Sequence, residues 1–235
     1  MGASAIAIVT ARGGSKRIPD KNIRNFLGKP IIAYVIEAAL ETQLFGEVMV
    51  STDNSHIADI AMKYGAKVPF WRSNKNSDDF AGTDEVLIEV LEKYKEKGMS
   101  YIYACCLYPT AAFITPEHLQ KGYEMLVNHH FKTVFPVLAF SSPIQRSLKI
   151  SNNRVSMFYP ENYGKRSQDL ELAYHDAGQF YWLHVNDFME KKKLWTDFSG
   201  ALILSETEAQ DIDSEEDWKI AEMKYAYLHN ISLKT

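Results

Sequence analysis

A chain of 235 residues with a formal net charge of −4 can bury a sizeable core and is not basic overall, which argues against nucleic acid as a partner. No apolar run reaches the roughly 18 residues of a membrane helix, and no basic region precedes the apolar start of the chain. The two cysteines, Cys105 and Cys106, are adjacent in a predicted strand and point to opposite faces. We therefore expect free buried thiols and a cytoplasmic protein without membrane contact.

The first 139 residues alternate between predicted strands and helices. Apolar runs predict strands at 4–10, 47–51, 66–71, 101–107 and 133–139. Helical periodicity and end signals predict helices at 31–42, 55–64 and 84–97, and another after Thr115. Asn54 or Ser55 would cap the second of these helices, and Thr83 would cap the third. Such βα units predict an α/β fold with a doubly wound, mostly parallel sheet. The loops after its strands, 11–22, 52–55, 72–83 and 108–115, should frame one cleft.

The pattern changes between residues 141 and 174, where short predicted strands at 147–150 and 154–158 alternate with polar turns. A β-rich arm too thin for its own core is expected to pack on a second subunit, and the alternative is an irregular flap on the same chain. Beyond the arm, we predict strands at 178–185 and 200–205, a short helix capped by Asn186 that ends in solvated Lys191–Lys193, and a last helix begun by Ser214 and Asp217. Residues 1–235 are thus expected to form a single domain with 141–174 inserted.

A glycine-rich basic segment, Ala11 to Arg17, follows the first predicted strand, with Lys21 just beyond it. Two adjacent glycines allow a sharp bend and expose successive N–H groups to an anion. The spacing is neither GxxxxGK[ST] nor GxGxxG, so it predicts a third kind of nucleotide site. A solvated basic turn is the alternative.

The best acidic pair is Asp211 and Asp213, which stand before the last predicted helix. In extended backbone they lie on one face about 7 Å apart, where they can share a Mg²⁺ that also binds substrate phosphates. Alternatively, Asp213 only caps the helix and Asp211 is a surface residue. His175 and Asp176 are adjacent in a predicted strand and face apart, which favours two independent polar contacts over an acid–base pair.

The run ARGGSKRIPDKN resembles the signature of the CMP-sialic acid synthetase family of cytidylyltransferases, usually ARGGSKxIPxKN. The resemblance continues through STDN at 51–54, YPT at 108–110, RSQDL at 166–170, AGQFY at 177–181 and DID at 211–213. It implies a Rossmann-like single domain with a dimerisation arm, hence a homodimer. It also implies Mg²⁺ dependence and transfer of CMP from CTP to an eight- or nine-carbon 2-keto acid sugar.

The resemblance also implies roles for individual residues. Arg12 and Lys16 would bind the triphosphate, Lys21 would stabilise charge at the α-phosphate, and Asn22 and Arg72 would recognise cytosine. Asp211 and Asp213 would hold Mg²⁺, with Arg12, Lys21 and Asp211 as the catalytic set. The complete nucleotide loop would comprise Ala11, Arg12, Gly13, Gly14, Ser15 and Lys16. The sugar would be bound by Tyr108, Thr110, Gln179 and Tyr181, and by Arg166 and Gln168 from the arm.

Two departures from the family pattern concern the sugar. Tyr108 stands where sialic acid enzymes have Gln, and 177–181 reads AGQFY where they have NGAIY. More aromatic surface suits a sugar with fewer free hydroxyls, and YPT with DAGQFYW most resembles the branch that activates pseudaminic acid for bacterial surface and flagellar glycans. Legionaminic and N-acetylneuraminic acids are alternatives, as are another nucleotidyltransferase using UTP or Kdo and a non-catalytic nucleotide-binding scaffold. Two groups could take the proton of the sugar hydroxyl: a metal-bound water or hydroxide, or a carboxylate near Asp211.

Overall fold

A computed structural model describes residues 4–78 and 81–232. Its strands are β1 (Ala5–Thr10), β2 (Asn25–Phe26), β3 (Lys29–Pro30), β4 (Glu47–Ser51), β5 (Tyr103–Leu107), β6 (Thr133–Ala139), β7 (Leu148–Ser151), β8 (Arg154–Met157), β9 (Tyr174–Asp176), β10 (Phe180–His184) and β11 (Ser199–Leu204). Its α-helices are α1 (Ile31–Glu41), α2 (Ser55–Lys63), α3 (Thr83–Glu96), α4 (Pro116–Asn128), α5 (Val185–Lys191) and α6 (Glu215–His229). The predicted alternation of strand and helix is confirmed up to β6, except at 66–71, which form no regular strand.

The central sheet has the strand order β11-β6-β10-β5-β1-β4, with β9 paired to the C-terminal end of β6. Strand β1 is parallel to β4 and β5, and β11 is parallel to β6. Strand β10 is inserted antiparallel between β5 and β6, so those two run in the same direction. The mostly parallel α/β fold is therefore confirmed, with two antiparallel strands, β10 and the short β9. The apolar pattern of β10 does not reveal its direction, because a strand buried on both faces looks alike in either direction.

Helices cover both faces of this sheet, as a doubly wound fold requires. Alternate residues of β1 point to opposite sides: Ala5, Ala7 and Val9 pack with α1, α2 and α4, whereas Ile6 and Ile8 pack with α3 and α5. The free, buried cysteines divide in the same way, because Cys105 belongs to the first layer and Cys106 to the second. Their opposite orientation confirms that they form no bridge with each other.

Three local predictions are corrected. Residues 66–71 form no regular strand: Lys67 makes a single bridge to Met49, and Pro69 has no N–H with which to extend the ladder. Helix α3 is capped by Gly82, and Thr83 is its first residue. The short helix α5 begins at Val185 with His184 as its cap, two residues ahead of the predicted cap, Asn186.

A third apolar cluster joins the last helix to the N-terminal segment. Trp218 of α6 packs edge-on against Phe26 at a centroid distance of 5.6 Å, and Ile18 and Ile212 are buried beside them. The predicted Ser214–Asp217 capping box is confirmed, since the Ser214 hydroxyl accepts a hydrogen bond from the Asp217 N–H. This cluster fixes the segment before α6 against the opening loop.

Strands β7 and β8 form a separate two-stranded sheet within residues 141–174. Its apolar side chains are mostly exposed, with Ile150 at 75% and Val155 at 61%. A two-stranded hairpin of this kind has no core of its own. Among the described residues, no helix is long and apolar enough to span a bilayer.

Candidate active site

A cleft of about 340 Å³ lies at the carboxyl ends of β1 and β5, as predicted for the loops that follow the strands. The wall includes Thr10 at the end of β1, Thr83 and Val86 of α3, and most of the predicted site residues. Those site residues are Arg12, Ser15, Lys21, Asn22, Arg72, Tyr108, Thr110, Asp211 and Asp213. Segments far apart in the chain thus supply one surface that combines cations with a pair of carboxylates.

The glycines of the opening loop serve its packing. The Gly13 N–H donates to Asp53 Oδ1 at 2.7 Å, and a Cβ on Gly13 would lie 3.1 Å from Asn54 Nδ2. Gly14 has φ +71°, a left-handed conformation that favours glycine. The expectation of successive N–H groups open to an anion is therefore corrected at Gly13, whose N–H already has an acceptor.

The other loop residues occupy different environments. The Ala11 side chain is buried in the core, and its N–H bonds to Ser51 O at 3.0 Å. Lys16 is exposed and, like Gly14, is not part of the cleft wall. Asn22 is only 6% exposed and donates from Nδ2 to Arg12 O at 2.8 Å, so it fixes the main chain on which the Arg12 side chain stands.

Arg72 is held rigidly in the cleft wall. It is 6% exposed and donates from Nε to Ser51 Oγ at 3.0 Å and from Nη2 to Ser51 O at 2.6 Å. Burial lowers the pKa of Arg72 to about 10, and the nearby carboxylates of Asp53 and Glu89 oppose that shift. Because 10 is still far above neutral pH, the guanidinium stays charged and can present a fixed hydrogen-bond donor to a ligand.

The acidic segment alternates as extended backbone should. Ile212 is fully buried, which turns Asp211 and Asp213 to the other side, where both line the cleft. Lys21 stands between them: its Nζ donates to Ile212 O at 2.6 Å and lies 3.5 Å from Asp213 Oδ1. Arg17 also pairs with Asp213 Oδ1 at 2.9 Å.

The electrostatics of this pair suit a bound cation. Within the cleft, partial burial and then the neighbouring Asp213 carboxylate raise the pKa of Asp211, while Lys21 opposes the rise. Two close carboxylates that repel one another are relieved by a divalent ion. The described residues contain no cluster of three or more metal-binding side chains, so a metal here would need other ligands as well.

A second cavity of about 300 Å³ adjoins the cleft and shares Thr83 and Tyr108 with it. Its remaining wall comprises Asp84, Asp176, Tyr181, Lys193, Leu194 and Trp195. Trp195 is 58% exposed and stacks on Phe135 at 5.3 Å. Lys193 and Trp195 are not among the predicted site residues, because a lysine run at a helix end is typically solvated; Trp195, two residues after that run, is the available signal.

Three residues predicted to bind the sugar lie away from both cavities. Gln179 is 1% exposed, and its Nε2 donates to Glu208 O at 2.7 Å while its main-chain carbonyl accepts from the Tyr108 N–H. Arg166 and Gln168 are exposed on the arm, where Arg166 pairs with Asp169 at 2.7 Å. Tyr181 and Thr110, in contrast, line the second cavity and the cleft respectively.

Comparison with known proteins identifies the family. A cytidylyltransferase family model matches residues 6–207. The chain is 40% identical over 225 residues to a pseudaminic acid cytidylyltransferase of Campylobacter jejuni, covering 95% of this chain and 97% of the relative. It is 34% identical to a CMP-N,N'-diacetyllegionaminic acid synthase of Legionella pneumophila, covering 92% and 94% respectively.

A solved structure supports the same assignment at the level of the fold. A CMP:2-keto-3-deoxy-manno-octonic acid synthetase complexed with CTP superposes with a TM-score of 0.70 at 18% identity. The match covers 95% of this chain and 99% of that one. Together with the extended sequence similarity, this shows that the chain is a member of the cytidylyltransferase family.

Proposed function

We propose that the protein transfers CMP from CTP to the anomeric C2 hydroxyl of pseudaminic acid and releases pyrophosphate. The observation that carries this proposal is the pair of adjoining cavities, one with cations and carboxylates and one with aromatic surface. The 40% identity to the Campylobacter jejuni enzyme favours pseudaminic acid as the acceptor. Legionaminic acid is the second candidate because of the 34% identity to the Legionella pneumophila enzyme.

The cleft would hold the nucleotide. Arg12, Ser15 and Lys21 offer donors to the triphosphate from one wall, and Asn22 and Arg72 offer fixed polar groups to the base. Lys16 and Gly14 do not line the cleft, so they would contact only a part of the ligand that extends beyond the cleft wall. Since the attack on phosphorus needs alignment and charge stabilisation above all, rigid donors such as Arg72 suit the reaction.

Asp211 and Asp213 would hold Mg²⁺ together with phosphate oxygens and water. When bound, the ion would offset charge on the reacting phosphate and orient it. Asp213 is paired with Arg17 and Lys21 in this structure, so those cations would have to exchange partners with the triphosphate. Asp211→Ala should remove most turnover and weaken CTP binding less; near-normal turnover at saturating Mg²⁺ would refute the metal role.

The second cavity would hold the acceptor sugar. Trp195 and Tyr181 offer apolar ring surface to acyl and methyl groups, and Asp84 and Asp176 offer acceptors to amide N–H groups. Such a wall fits a deoxygenated, acylated nonulosonic acid better than one rich in free hydroxyls.

The arm at 141–174 would form a homodimer with a second copy. The exposed apolar side chains of β7 and β8, including Ile150 and Val155, would be covered by the partner. Arg166 and Gln168 would then act at the neighbouring subunit's sugar site. Sedimentation of Ile150→Asp should report a monomer; a dimer of unchanged stability would contradict this interface. Two free buried thiols fit a cytoplasmic setting for this single-domain enzyme.

The experiment that tests the proposed function measures pyrophosphate release with each nucleoside triphosphate and with pseudaminic, legionaminic and N-acetylneuraminic acids. We expect CTP and pseudaminic acid to give the highest kcat/KM. A preference for another acid would move the proposal to that acceptor. No release with any pair would favour the nucleotide-binding scaffold.

A further inference from the structure

A lysine of the last helix holds the segment that leads to the acidic pair. Lys224 Nζ donates to Glu206 O at 2.8 Å and to Ala209 O at 3.1 Å, and it lies 3.4 Å from Glu206 Oε1. An ammonium group has three N–H donors, so these contacts can use all of them. The Lys224 side chain is 19% exposed, and it joins α6 to the main chain two residues before Asp211.

Other contacts hold the same segment from the side of the sheet. Gln179, directly before β10, donates from Nε2 to Glu208 O at 2.7 Å, and Nε2 of His118 in α4 lies 3.5 Å from Glu208 Oε1. The Ala209 side chain is 1% exposed and belongs to a small apolar cluster that includes residues of β6 and β11. The main chain at 206–209 is therefore fixed between α6 and the body of the fold.

The acidic pair itself is held by the same helix. Ile212, between the two carboxylates, is fully buried in the cluster that contains Ala221. The Asp213 N–H donates to Asp217 Oδ2 at 3.1 Å. Asp217, Ala221 and Lys224 follow one another at the four- and three-residue spacing of a single helix face. One face of α6 therefore meets the chain both before and within the acidic pair.

We propose that Lys224 is a positioning residue for a divalent cation bound by Asp211 and Asp213, an inference that rests on the proposed function. By fixing two carbonyls of the preceding segment, Lys224 limits the positions that Asp211 can take relative to Asp213. A pair of carboxylates that is already ordered loses less conformational freedom when the cation binds, so the pair binds the cation more tightly.

The sign of the effect separates this role from simple electrostatics. Lys224 carries a positive charge beside the segment that leads to the acidic pair, so by charge alone its removal would strengthen the binding of a cation. Loss of positioning would instead weaken that binding. A contact that served stability alone would lower the melting temperature and leave the cation affinity of the folded protein unchanged.

Mn²⁺ binding to the nucleotide-free protein tests the proposal, with the electron paramagnetic resonance signal of the free ion as the readout. The dissociation constant should rise about tenfold in Lys224→Met, the lower end of the range for lost outer contacts of metal ligands. Lys219→Met is the matched control, because Lys219 is an exposed lysine of the same helix, and it should not weaken binding. Circular dichroism melts set a temperature at which every variant is folded.

Two further variants sharpen the test. Glu206→Gln removes the carboxylate but keeps both carbonyls, so we expect its Mn²⁺ affinity to equal that of the wild type. If Lys224→Met does not fold, Lys224→Gln, which can still donate to one carbonyl, should show a smaller change in the same direction. Unchanged or tighter Mn²⁺ binding in the folded lysine variant would overturn the positioning role. An equal loss of affinity in Glu206→Gln or in Lys219→Met would overturn it as well.

Failure of the proposed function gives different results. Equal or absent Mn²⁺ binding in the wild type and in Asp211→Asn would refute the metal role of the acidic pair. Absence of pyrophosphate release by the wild type with every nucleotide and acid would refute the transfer reaction. Neither result resembles a loss of Mn²⁺ affinity that is missing only in the Lys224 variants, so the failures are distinguishable.

Discussion

Replacement of Gln179 tests a position at which the resemblance and the structure assign different roles to one side chain. The resemblance places this side chain in the sugar site, yet it is buried and donates to the Glu208 carbonyl. Glu208 stands three residues before Asp211, and a Cβ on the adjacent Gly178 would lie 3.7 Å from Asp211 Cγ. Gln179 thus supports the main chain that leads to the acidic pair.

Gln179→Leu keeps the approximate size of the side chain and removes the donor. The Glu208 carbonyl loses a buried partner, which costs about 1–3 kcal/mol of unfolding free energy. For a chain of this length, each kcal/mol shifts the melting temperature by about 2–4 °C, so we expect a decrease of about 2–12 °C. The half-saturating Mg²⁺ concentration should rise, because the segment that carries Asp211 is less well held.

Calorimetric melting and kinetics with varied Mg²⁺ and varied acceptor are the assays. Gln120→Leu is the matched control, since the Gln120 amide bonds to Glu124 on the outer side of α4 and should change stability by less than about 0.5 kcal/mol. An unchanged melting temperature in Gln179→Leu together with a raised acceptor KM would refute this reasoning and return Gln179 to the sugar site.

Three further predictions concern other parts of the molecule. Trp218→Ala should lower the unfolding free energy by about 3–5 kcal/mol in denaturant titrations because the ring is buried, whereas Trp71→Ala, at an exposed ring, should cost far less; equal effects would contradict the packing. Burial alone would raise the pKa of Glu89, but hydrogen bonds lower it from 4.5 to about 2, so this carboxylate contributes stability that is present above pH 4.5 and lost as pH falls toward 2. In Glu89→Gln, the unfolding free energy should therefore change less with pH over that window. A pH profile identical to that of the wild type would contradict this role of Glu89. Arg72→Lys keeps the charge but loses the paired bonds to Ser51 that fix the side chain in the cleft wall. If one charged hydrogen bond to CTP is lost with them, titration calorimetry should show CTP binding weaker by about 1.5–3 kcal/mol. Unchanged affinity would remove Arg72 from the nucleotide site.

Local patterns predicted much of the fold because they depend on residues close in sequence. The strands Glu47–Ser51 and Thr133–Ala139 and the Thr115 cap follow from apolar runs and end signals alone. The reversal of β10 does not, since the direction of a strand buried on both faces is set by its connections. Likewise, Pro69 ended the expected strand at 66–71 through a missing donor, a detail that an apolar run conceals.

The candidate site divides in the same way. The clustering of Arg12, Lys21 and Asp211 could be predicted because parallel strands end at one edge of the sheet. The acceptor of the Gly13 N–H and the burial of Gln179 depend on contacts between distant segments, which motif spacing does not encode.

The proposed reaction requires that the sugar's own C2 oxygen attacks the α-phosphorus of CTP. Acceptor labelled with ¹⁸O at the C2 hydroxyl, incubated with CTP, Mg²⁺ and the protein, tests it by mass spectrometry of the products. We expect a CMP-sugar that retains the label in the bridge between C2 and phosphorus, with unlabelled pyrophosphate. Loss of the label from the CMP-sugar, or release of pyrophosphate without a CMP-sugar, would contradict it.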